Sequence, residues 1–290
     1  MQHIKSPYIK DQYTKNGPVA TVDLTGKTVV VVGANTGLGF EATKHFASMN
    51  PGKLILACRS EERGKAAVDK LKSETSYDRA ELWLVDLGKI TSVIAFADRF
   101  EGERLDILVA NAALNPSAGY NTARDGWEES IQVNNIATSL LCLLLTPRLV
   151  ETGTTYGTEP RIVIVSSDLH YMVNIKERVS EAKSPFQVLN SSEYCTANSQ
   201  RIFRPFSRGA IEGHSCHRQH TQSWFAAVGG ADDTDKLRGA YLNLNTPTEP
   251  SDHVIGEAGK RRQDKLWVDL VAELSKIDRR IPSIVQQFSV

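Results

Sequence analysis

The stretch Val29–Gly39, which reads VVVVGANTGLG, decides the fold of this chain. Its four consecutive valines lack the polar alternation of a half-exposed strand. They are typical of a strand buried on both faces, as in parallel sheets covered by helices. Three glycines follow in the spacing G-x-x-x-G-x-G, at Gly33, Gly37 and Gly39. Apolar residues then recur at every fourth position, at Leu38, Ala42 and Phe46, so the glycine loop is predicted to open an amphipathic helix.

A glycine loop that leads into a helix is a favourable place for a pyrophosphate group. The first backbone N–H groups of the helix have no partner within it, and the helix dipole places positive charge at the same end. Glycines let the backbone approach the ligand closely. A tight strand-to-helix turn without a ligand is the alternative, and the glycines alone do not decide between the two.

Apolar runs and helical patterns alternate after this first strand. The runs are Lys53–Arg59, Glu81–Asp86, Leu105–Ala110 and Arg161–Ser166, and the helical patterns are Glu61–Lys72, Ile90–Phe100 and Trp127–Leu149. Each run ends at a polar or small residue, and the ends of such strands are where ligands bind in an open α/β sheet. The sequence predicts a doubly wound parallel sheet of the Rossmann type in one α/β domain that becomes irregular in its C-terminal third.

Five short motifs in chain order resemble the short-chain dehydrogenase/reductase family, in particular its fungal, retinol-dehydrogenase-like group. They are Gly33–Gly39, Asp86-Leu87, Asn111-Ala112-Ala113, Val133-Asn134-Asn135 and Val165-Ser166-Ser167. Ala113 stands where the family has a glycine. The resemblance covers roughly 23–192 and resumes at Gly239, with 249–252 and 259–267 similar to the last segment and terminal helix of the group. The expected organisation is an N-terminal arm over 1–22 and a Rossmann domain over 23–290, atypical at 201–235.

The resemblance implies a role for each motif. The cofactor would be bound by Gly33, Asn35, Gly37, Leu38, Gly39, Asp86, Leu87 and Asn111. Asp86 would contact the adenine ring, Asn134 would support a proton-relay water, and Ser167 would orient the substrate carbonyl or hydroxyl. Each residue also has a purely structural interpretation, with Asp86 capping a loop, Asn111 bridging two strand ends and Ser167 lying in an ordinary turn.

The end of the second strand bears on the choice of cofactor. NAD-binding chains usually place an acid there for the ribose 2′-hydroxyl, whereas an arginine accommodates the 2′-phosphate of NADP. Here the strand ends in Cys58-Arg59-Ser60, and no acid precedes Glu61. NADP is therefore the predicted cofactor, with Arg59 as its phosphate ligand. The alternative is that Arg59 is a solvated surface charge.

The family resemblance also implies a catalytic tyrosine followed four residues later by lysine. A phenol of pKa near 10 exchanges protons poorly at neutral pH unless a fixed cation favours its anion. No Tyr-x-x-x-Lys occurs in the chain, because Tyr171 is followed at the fourth position by Ile175 and Tyr194 by Asn198. The expected place of the tyrosine is near Ile202.

Residues 201–235 show neither a strand nor an amphipathic helical pattern. With suitable codons for 217–225, reading one base later gives Thr-Val-Asn-Thr-His-Asn-Pro-Gly, which resembles the sixth strand and nicotinamide loop of the family. The same shift at 202–204 begins Tyr-Ser, although no codon choice supplies the lysine. A shifted reading frame is therefore our hypothesis for this segment.

A metal site is the other interpretation of this segment, which contains His214, Cys216, His217 and His220. His-x-x-His spacing can chelate zinc. However, Cys216 and His217 are adjacent and no cysteine pair lies nearby, so no metal is expected. The remaining cysteines, Cys58, Cys142 and Cys195, are isolated and suit buried thiols of a reducing, cytoplasmic compartment.

Composition and length exclude some partners. The 290 residues carry a formal net charge of zero, which gives no electrostatic reason to expect nucleic acid or an anionic membrane. The N-terminus lacks the apolar run of a signal peptide. The longest apolar stretch, Ile136–Leu145, is shorter than the roughly 20 residues that span a bilayer and is predicted to be a buried helix face. In the resembling family this helix often lies in a dimer interface, so a homodimer is a candidate assembly.

Two functions remain open from the sequence. The first is an NADP-dependent oxidoreductase that interconverts a carbonyl and an alcohol on a small lipophilic molecule, such as a terpenoid or polyketide intermediate of secondary metabolism. The second is a cofactor-binding pseudoenzyme, or inactive remnant, that lacks the tyrosine and lysine pair. The resemblance places the substrate loop of the family in the atypical segment.

Overall fold

The computed structural model describes residues 20–114, 120–166, 175–198, 240–243, 246–250 and 254–288. Its centre is a five-stranded, fully parallel sheet in the order β3-β2-β1-β4-β5. The strands are β1 Thr28–Val32, β2 Lys53–Cys58, β3 Ala80–Leu84, β4 Ile107–Ala110 and β5 Arg161–Ile164. A two-residue antiparallel pair, β6 Leu242–Asn243 and β7 Thr246–Pro247, lies apart from this sheet in the topology.

Helices connect and cover the strands. In chain order they are α1 Gly37–Ser48, α2 Glu61–Thr75, α3 Ile90–Asp98, α4 Glu129–Ile131, α5 Thr138–Tyr156, α6 Glu177–Ser180, α7 Pro185–Leu189, α8 Ser192–Asn198, α9 Gly256–Ile277 and α10 Ile281–Phe288. A π-helical segment, Gln132–Ala137, joins α4 to α5. The alternation of strand and helix through the first five strands is that of a doubly wound sheet.

The four valines divide the protein interior into two cores. Val30 and Val32 face a cluster built with side chains of α3, α5 and α10. Val29 and Val31 face a second cluster built with α1 and α2. All four valines are at most 2% exposed, because successive side chains of a strand point to opposite faces and both faces are covered. The predicted Rossmann-type α/β fold is confirmed.

The ends of two predicted strands differ from the sequence interpretation. In the run Glu81–Asp86 the strand ends at Leu84. The N–H of Val85 still donates to the Cys58 carbonyl at 2.9 Å, but the N–H of Asp86 donates to the Ser92 side chain at 3.0 Å. The run Leu105–Ala110 joins the sheet only at Ile107, since the N–H of Leu105 donates to Thr152 Oγ1 at 3.1 Å. The partner Ser92 lies six residues after Asp86 and the partner Thr152 lies 47 residues after Leu105, and an apolar pattern reveals neither.

A buried carboxylate holds the amino-terminal edge of the sheet. Asp106 is 2% exposed and accepts the backbone N–H of Thr28 at 2.8 Å. Arg104 donates to both oxygens of Asp106, at 2.7 and 2.8 Å, and Thr158 contacts the same group at 3.2 Å. Asp106 therefore joins the beginnings of β1, β4 and the turn before β5.

The helix predicted over Trp127–Leu149 is longer and less regular than expected. Its continuous helical course runs from Glu129 to Tyr156, a stretch of 28 residues, and contains the π-helical segment. By length and composition alone it could cross a membrane, but half of its most apolar window is buried inside the protein. The buried core helix of a soluble protein can have the same length and composition. The apolar stretch 136–145, which was predicted to be a buried helix face, lies within this helix.

Candidate cofactor site

The carboxyl edge of the parallel sheet brings most of the predicted cofactor residues together. The loop Gly33–Gly39 follows β1, Arg59 follows β2, Asp86 comes two residues after β3, and Asn111 follows β4. Neighbouring parallel strands end at the same edge, so four loops converge there. At this edge the strand order places β1 between β2 and β4, which puts the glycine loop at the centre of the site.

Two of the three glycines, Gly33 and Gly39, pack where β1 and β4 end, without room for side chains. Gly33 has φ +82°, and a Cβ on it would lie 2.8 Å from the Cα of Ala112. A Cβ on Gly39 would overlap the carbonyl oxygen of Gly33 and lie 2.6 Å from Asn111 Nδ2. Asn111 Nδ2 donates to the same Gly33 oxygen at 3.3 Å. Asn111 thus bridges the ends of β1 and β4, as its structural interpretation required.

The first turn of α1 presents positive potential to the site. The N-cap residue Thr36 is extended and its side chain makes no capping bond, and the first turn contains no acid. Gly37 has φ +58°, and a Cβ on it would meet nothing within 4 Å, so solvent or a ligand can reach the loop at this point. Uncapped N–H groups at a helix start favour an anionic ligand.

Arg59 is exposed at the end of β2. The acids nearest to it in sequence, Glu61 and Glu62, lie in the first turn of α2, whose start is capped by Ser60 Oγ accepting the N–H of Arg63 at 3.3 Å. Cys58, one residue earlier, is buried, and burial raises the pKa of its thiol to about 11. The cysteine therefore stays neutral at physiological pH, and Arg59 carries the charge at this strand end.

Asp86 and Leu87 form the loop after β3. Asp86 Oδ1 accepts the N–H of Gly88 at 3.0 Å, so this carboxylate caps its own loop. Leu87 is 7% exposed and packs into the core. Asp86 itself is half-buried, which leaves part of its side chain at the surface of the cofactor edge.

Asn134 lies in the π-helical segment and is tied to the loop after β4. Its Oδ1 accepts the N–H of Leu114 at 2.8 Å, and its Nδ2 donates to the carbonyl of Leu114 at 3.0 Å. The oxygen and the nitrogen of the side-chain amide therefore both bind the backbone of Leu114. This two-point contact, which fixes the path of the chain after Asn111, was missed by the sequence interpretation.

Other predicted features of the active site fall outside the described residues. Ser167 follows β5 by three residues and is not among them, nor are Tyr171, the segment 201–235 and its histidine cluster. Tyr194 is described and is 2% exposed. Burial raises the pKa of its phenol above the ordinary value, the opposite of the tuning that a proton donor at neutral pH needs.

Cys58, Cys142 and Cys195 are free thiols and all three are buried. Burial raises the pKa of Cys142 to about 12 and that of Cys195 to about 11. Thiols of this kind are poor nucleophiles, because the thiolate is the reactive form. Within the described ranges, no group of three or more His, Cys, Asp or Glu side chains could hold a metal ion.

The sequence interpretation also missed Gln132 and Asp125. Gln132 Nε2 donates to Asp125 Oδ2 at 2.7 Å, and the same oxygen accepts the N–H of Ile90 at 2.9 Å. Gln132 is fully buried. A polar residue among Ile131, Val133 and Ile136 was the available signal, since buried amides need partners.

A family model described as short chain dehydrogenase matches residues 27–178, more than half of the chain. The chain therefore belongs to the short-chain dehydrogenase/reductase family of oxidoreductases. The matched range begins just before β1 and extends beyond β5 into α6, so it contains the whole carboxyl edge described above.

Individual relatives agree with this assignment. The short chain dehydrogenase/reductase dmxR8 of Cryptosporiopsis sp. is 29% identical over an alignment covering 95% of this chain and 99% of that protein. The short-chain dehydrogenase fogG of Aspergillus ruber is 43% identical over 57% of this chain and 47% of its own length. Apart from dmxR8, the chain spans about half the length of the curated fungal relatives it matches. Among solved structures, menthone neomenthol reductase from Mentha piperita has a TM-score of 0.45 and 24% identity over 74% of this chain and 84% of its own.

Proposed function

We propose that this chain binds NADP(H) at the carboxyl edge of its sheet and interconverts a carbonyl and an alcohol on a small lipophilic molecule. The observation that carries the proposal is the uncapped start of α1 with open space beside Gly37. The close packing of Gly33, Gly39 and Asn111 holds this helix start at the ends of β1 and β4. The nicotinamide cofactor would supply the hydride. Residues of the chain would bind and orient the reactants.

The pyrophosphate is assigned to the glycine loop, Gly33–Gly39. The uncapped N-terminus of α1 and the open space beside Gly37 favour a doubly charged anion there. Asn35 and Leu38, both partly exposed in the same loop, are proposed to contact the cofactor. Asp86 and Leu87 would receive the adenine, since their loop lies at the same edge.

NADP is favoured over NAD by the charge at the end of β2. Arg59 is exposed, and its planar guanidinium can hold a phosphate through two parallel hydrogen bonds. An acid at this position would instead accept from the ribose 2′-hydroxyl, and residues 58–60 contain none. The 2′-phosphate of NADP is therefore assigned to Arg59.

The substrate side is proposed from the family resemblance. Ser167 would orient the carbonyl or hydroxyl. Asn134, whose side chain holds the backbone of Leu114, would support the proton-relay water. A lipophilic ketone or aldehyde is the expected substrate class, a homodimer the expected assembly and the cytoplasm the expected compartment. The proposal also includes the division into an N-terminal arm over 1–22 and a Rossmann domain over 23–290, with an atypical segment at 201–235.

A second function is favoured by one observation. The sequence contains no Tyr-x-x-x-Lys, so the chain as written lacks the proton donor that the family resemblance implies. A protein of this sequence could bind NADP(H) without turnover and act as a pseudoenzyme. The two functions share the cofactor site and differ in the chemical step.

Titration calorimetry with NADPH and NADH, followed by NADPH oxidation with a panel of lipophilic ketones and aldehydes, tests both functions. Tighter binding of NADPH supports the shared cofactor site, and the absence of binding by either cofactor would overturn it. Turnover above the uncatalysed rate would identify the enzyme, whereas binding without turnover would identify the pseudoenzyme. Sequencing the transcript across codons 195–240 shows whether the reading frame is intact.

A further inference from the structure

We infer that Gln132 is a positioning residue for the adenine half of the cofactor, acting through Asp125 on the loop between β3 and α3. The inference rests on the proposed binding of NADP(H). Gln132 does not lie in any motif of the cofactor loop, and it is fully buried. Its effect must therefore pass through the groups that its side chain contacts.

Gln132 and Asp125 fix the beginning of α3. Asp125 Oδ2 accepts from Gln132 Nε2 at 2.7 Å and from the backbone N–H of Ile90 at 2.9 Å. Ile90 is the first residue of α3, and the N-cap residue Lys89 makes no side-chain capping bond. The carboxylate of Asp125 thus supplies the cap that the local sequence lacks, and Gln132 holds that carboxylate in place.

The same amide reaches the loop that precedes α3. Gln132 Nε2 lies 3.5 Å from the carbonyl oxygen of Leu87, at the outer limit of a hydrogen bond. The short loop 85–89 is therefore held at its end by Asp125 and touched at its middle by Gln132. Asp86, the proposed adenine contact, lies inside this loop.

The amide oxygen of Gln132 shows which contacts determine the orientation of the side-chain amide. Gln132 Oε1 is buried and meets no donor among the described residues. An unsatisfied buried acceptor is costly, so the amide is oriented by its Nε2 contacts and not by its oxygen. Reversing the amide would place Oε1 against two other acceptor oxygens, Asp125 Oδ2 and the Leu87 carbonyl, which excludes the other orientation.

One π-helical segment thus supports two loops of the cofactor edge. Gln132 acts on the loop after β3, and Asn134, two residues later, holds Leu114 in the loop after β4. The segment continues directly into α5, whose side chains are packed in the core. A rigid core helix therefore sets the spacing of the two loops, with Gln132 responsible for the adenine side.

The test compares two ligands that share the adenine half: NADPH and 2′,5′-ADP. Gln132→Met keeps the length of the side chain and removes both the donor and the unsatisfied oxygen, so the fold should be retained. We expect both ligands to bind on the order of ten-fold more weakly, as is typical of coupling through neighbouring residues. Asn134→Ala should weaken the binding of NADPH and leave the binding of 2′,5′-ADP unchanged.

Thr138→Val is the matched control. Thr138 Oγ1 donates to the Val133 carbonyl within the same helical stretch at 2.8 Å, a bond to neither loop, so its loss should alter neither dissociation constant. Asp125→Asn weakens the same hydrogen bond at its exposed partner. It should weaken the binding of both ligands, as Gln132→Met does. The double variant should lose no more than the stronger single variant, because both changes break one link.

Dissociation constants are measured by calorimetry and folding by the thermal midpoint of each variant. Unchanged binding of 2′,5′-ADP by both Gln132→Met and Asp125→Asn would overturn the inference while the proposed function stands. An equal loss in Thr138→Val would overturn it too, since the effect would then be general to the helix. If the unmutated chain binds neither ligand, the proposed function fails, and the inference fails with it.

Discussion

Gly39 lies so close to Gly33 that no side chain fits between them. A Cβ on residue 39 would overlap the carbonyl oxygen of Gly33, and Asn111 Nδ2 would lie 2.6 Å from it. This contact joins the first turn of α1 to the ends of β1 and β4. The position of the proposed pyrophosphate site therefore depends on the absence of a side chain at one residue.

Gly39→Val should abolish cofactor binding. The branched side chain must displace backbone atoms of Gly33, so the start of α1 moves away from the ends of β1 and β4. The enhancement of NADPH fluorescence on binding measures the effect. Gly102→Ala, at a positive-φ turn with nothing within 4 Å, controls for a general loss of stability. Survival of the fluorescence enhancement in Gly39→Val would remove the assignment of the phosphate loop.

Arg59→Asp should reverse the cofactor preference from NADPH to NADH. The substitution replaces the proposed phosphate ligand by a carboxylate that repels phosphate and accepts from a ribose hydroxyl. Loss of a charged hydrogen-bonding partner corresponds to about 1.5–3 kcal/mol, or roughly a 10- to 150-fold weaker binding of NADPH. Calorimetry of both cofactors provides the measurement. Arg261→Asp, an exposed change on α9, should leave the ratio unaltered, and equal affinities in the unmutated protein would contradict the prediction.

Asp106→Ala should destabilise the fold. The change leaves the N–H of Thr28 and the guanidinium of Arg104 without their buried carboxylate, which costs about 3–5 kcal/mol in comparable sites. Urea unfolding followed by far-ultraviolet circular dichroism measures the loss. Glu103→Ala breaks the more exposed ion pair with Lys53 and should cost less than about 1 kcal/mol. Similar losses in both variants would show that Asp106 has no special role.

The arrangement of the sheet could be predicted from the sequence because its signals are local. An all-apolar strand such as Val29–Val32 must be covered on both faces, and strands that alternate with helices give a parallel order. The family membership followed from short motifs in a fixed order. Apart from Val133-Asn134-Asn135, which lies in the π-helical segment, these motifs were expected at the ends of strands, where the structure places Gly33 and Asn111.

The contacts inside the site could not be predicted in the same way. The sequence singled out Asn134 but gave no sign that its amide holds the backbone of Leu114 at both atoms. The bond from Gln132 to Asp125 joins the first residue of the π-helical segment to the turn before α4, a contact for which the sequence has no clear pattern. Such partners are fixed by tertiary packing, so side-chain type alone gives the candidate residues and not their hydrogen bonds.

The chain as written should be nearly inactive in carbonyl reduction. Proton transfer to the developing alkoxide needs an acid of suitable pKa within hydrogen-bond reach, and a general acid contributes about a hundred- to ten-thousand-fold in rate. At the expected place of the tyrosine the sequence has Ile202, with Phe206 in place of the lysine, and neither side chain can transfer a proton. The measurement is NADPH oxidation with lipophilic ketones and aldehydes.

A repaired chain distinguishes a missing proton donor from a damaged cofactor site. Ile202→Tyr with Phe206→Lys, combined with the Asn-Pro-Gly segment read from the shifted frame, should restore turnover if the first half of the chain is intact. The unrepaired protein should still bind NADPH, because Gly33–Gly39 and Arg59 are unchanged. Tyr194→Phe is the matched control, since Tyr194 is buried and its raised pKa disfavours the phenolate. Robust turnover by the unrepaired chain that is lost on changing Tyr194 or Tyr171 would show that another tyrosine has taken the role.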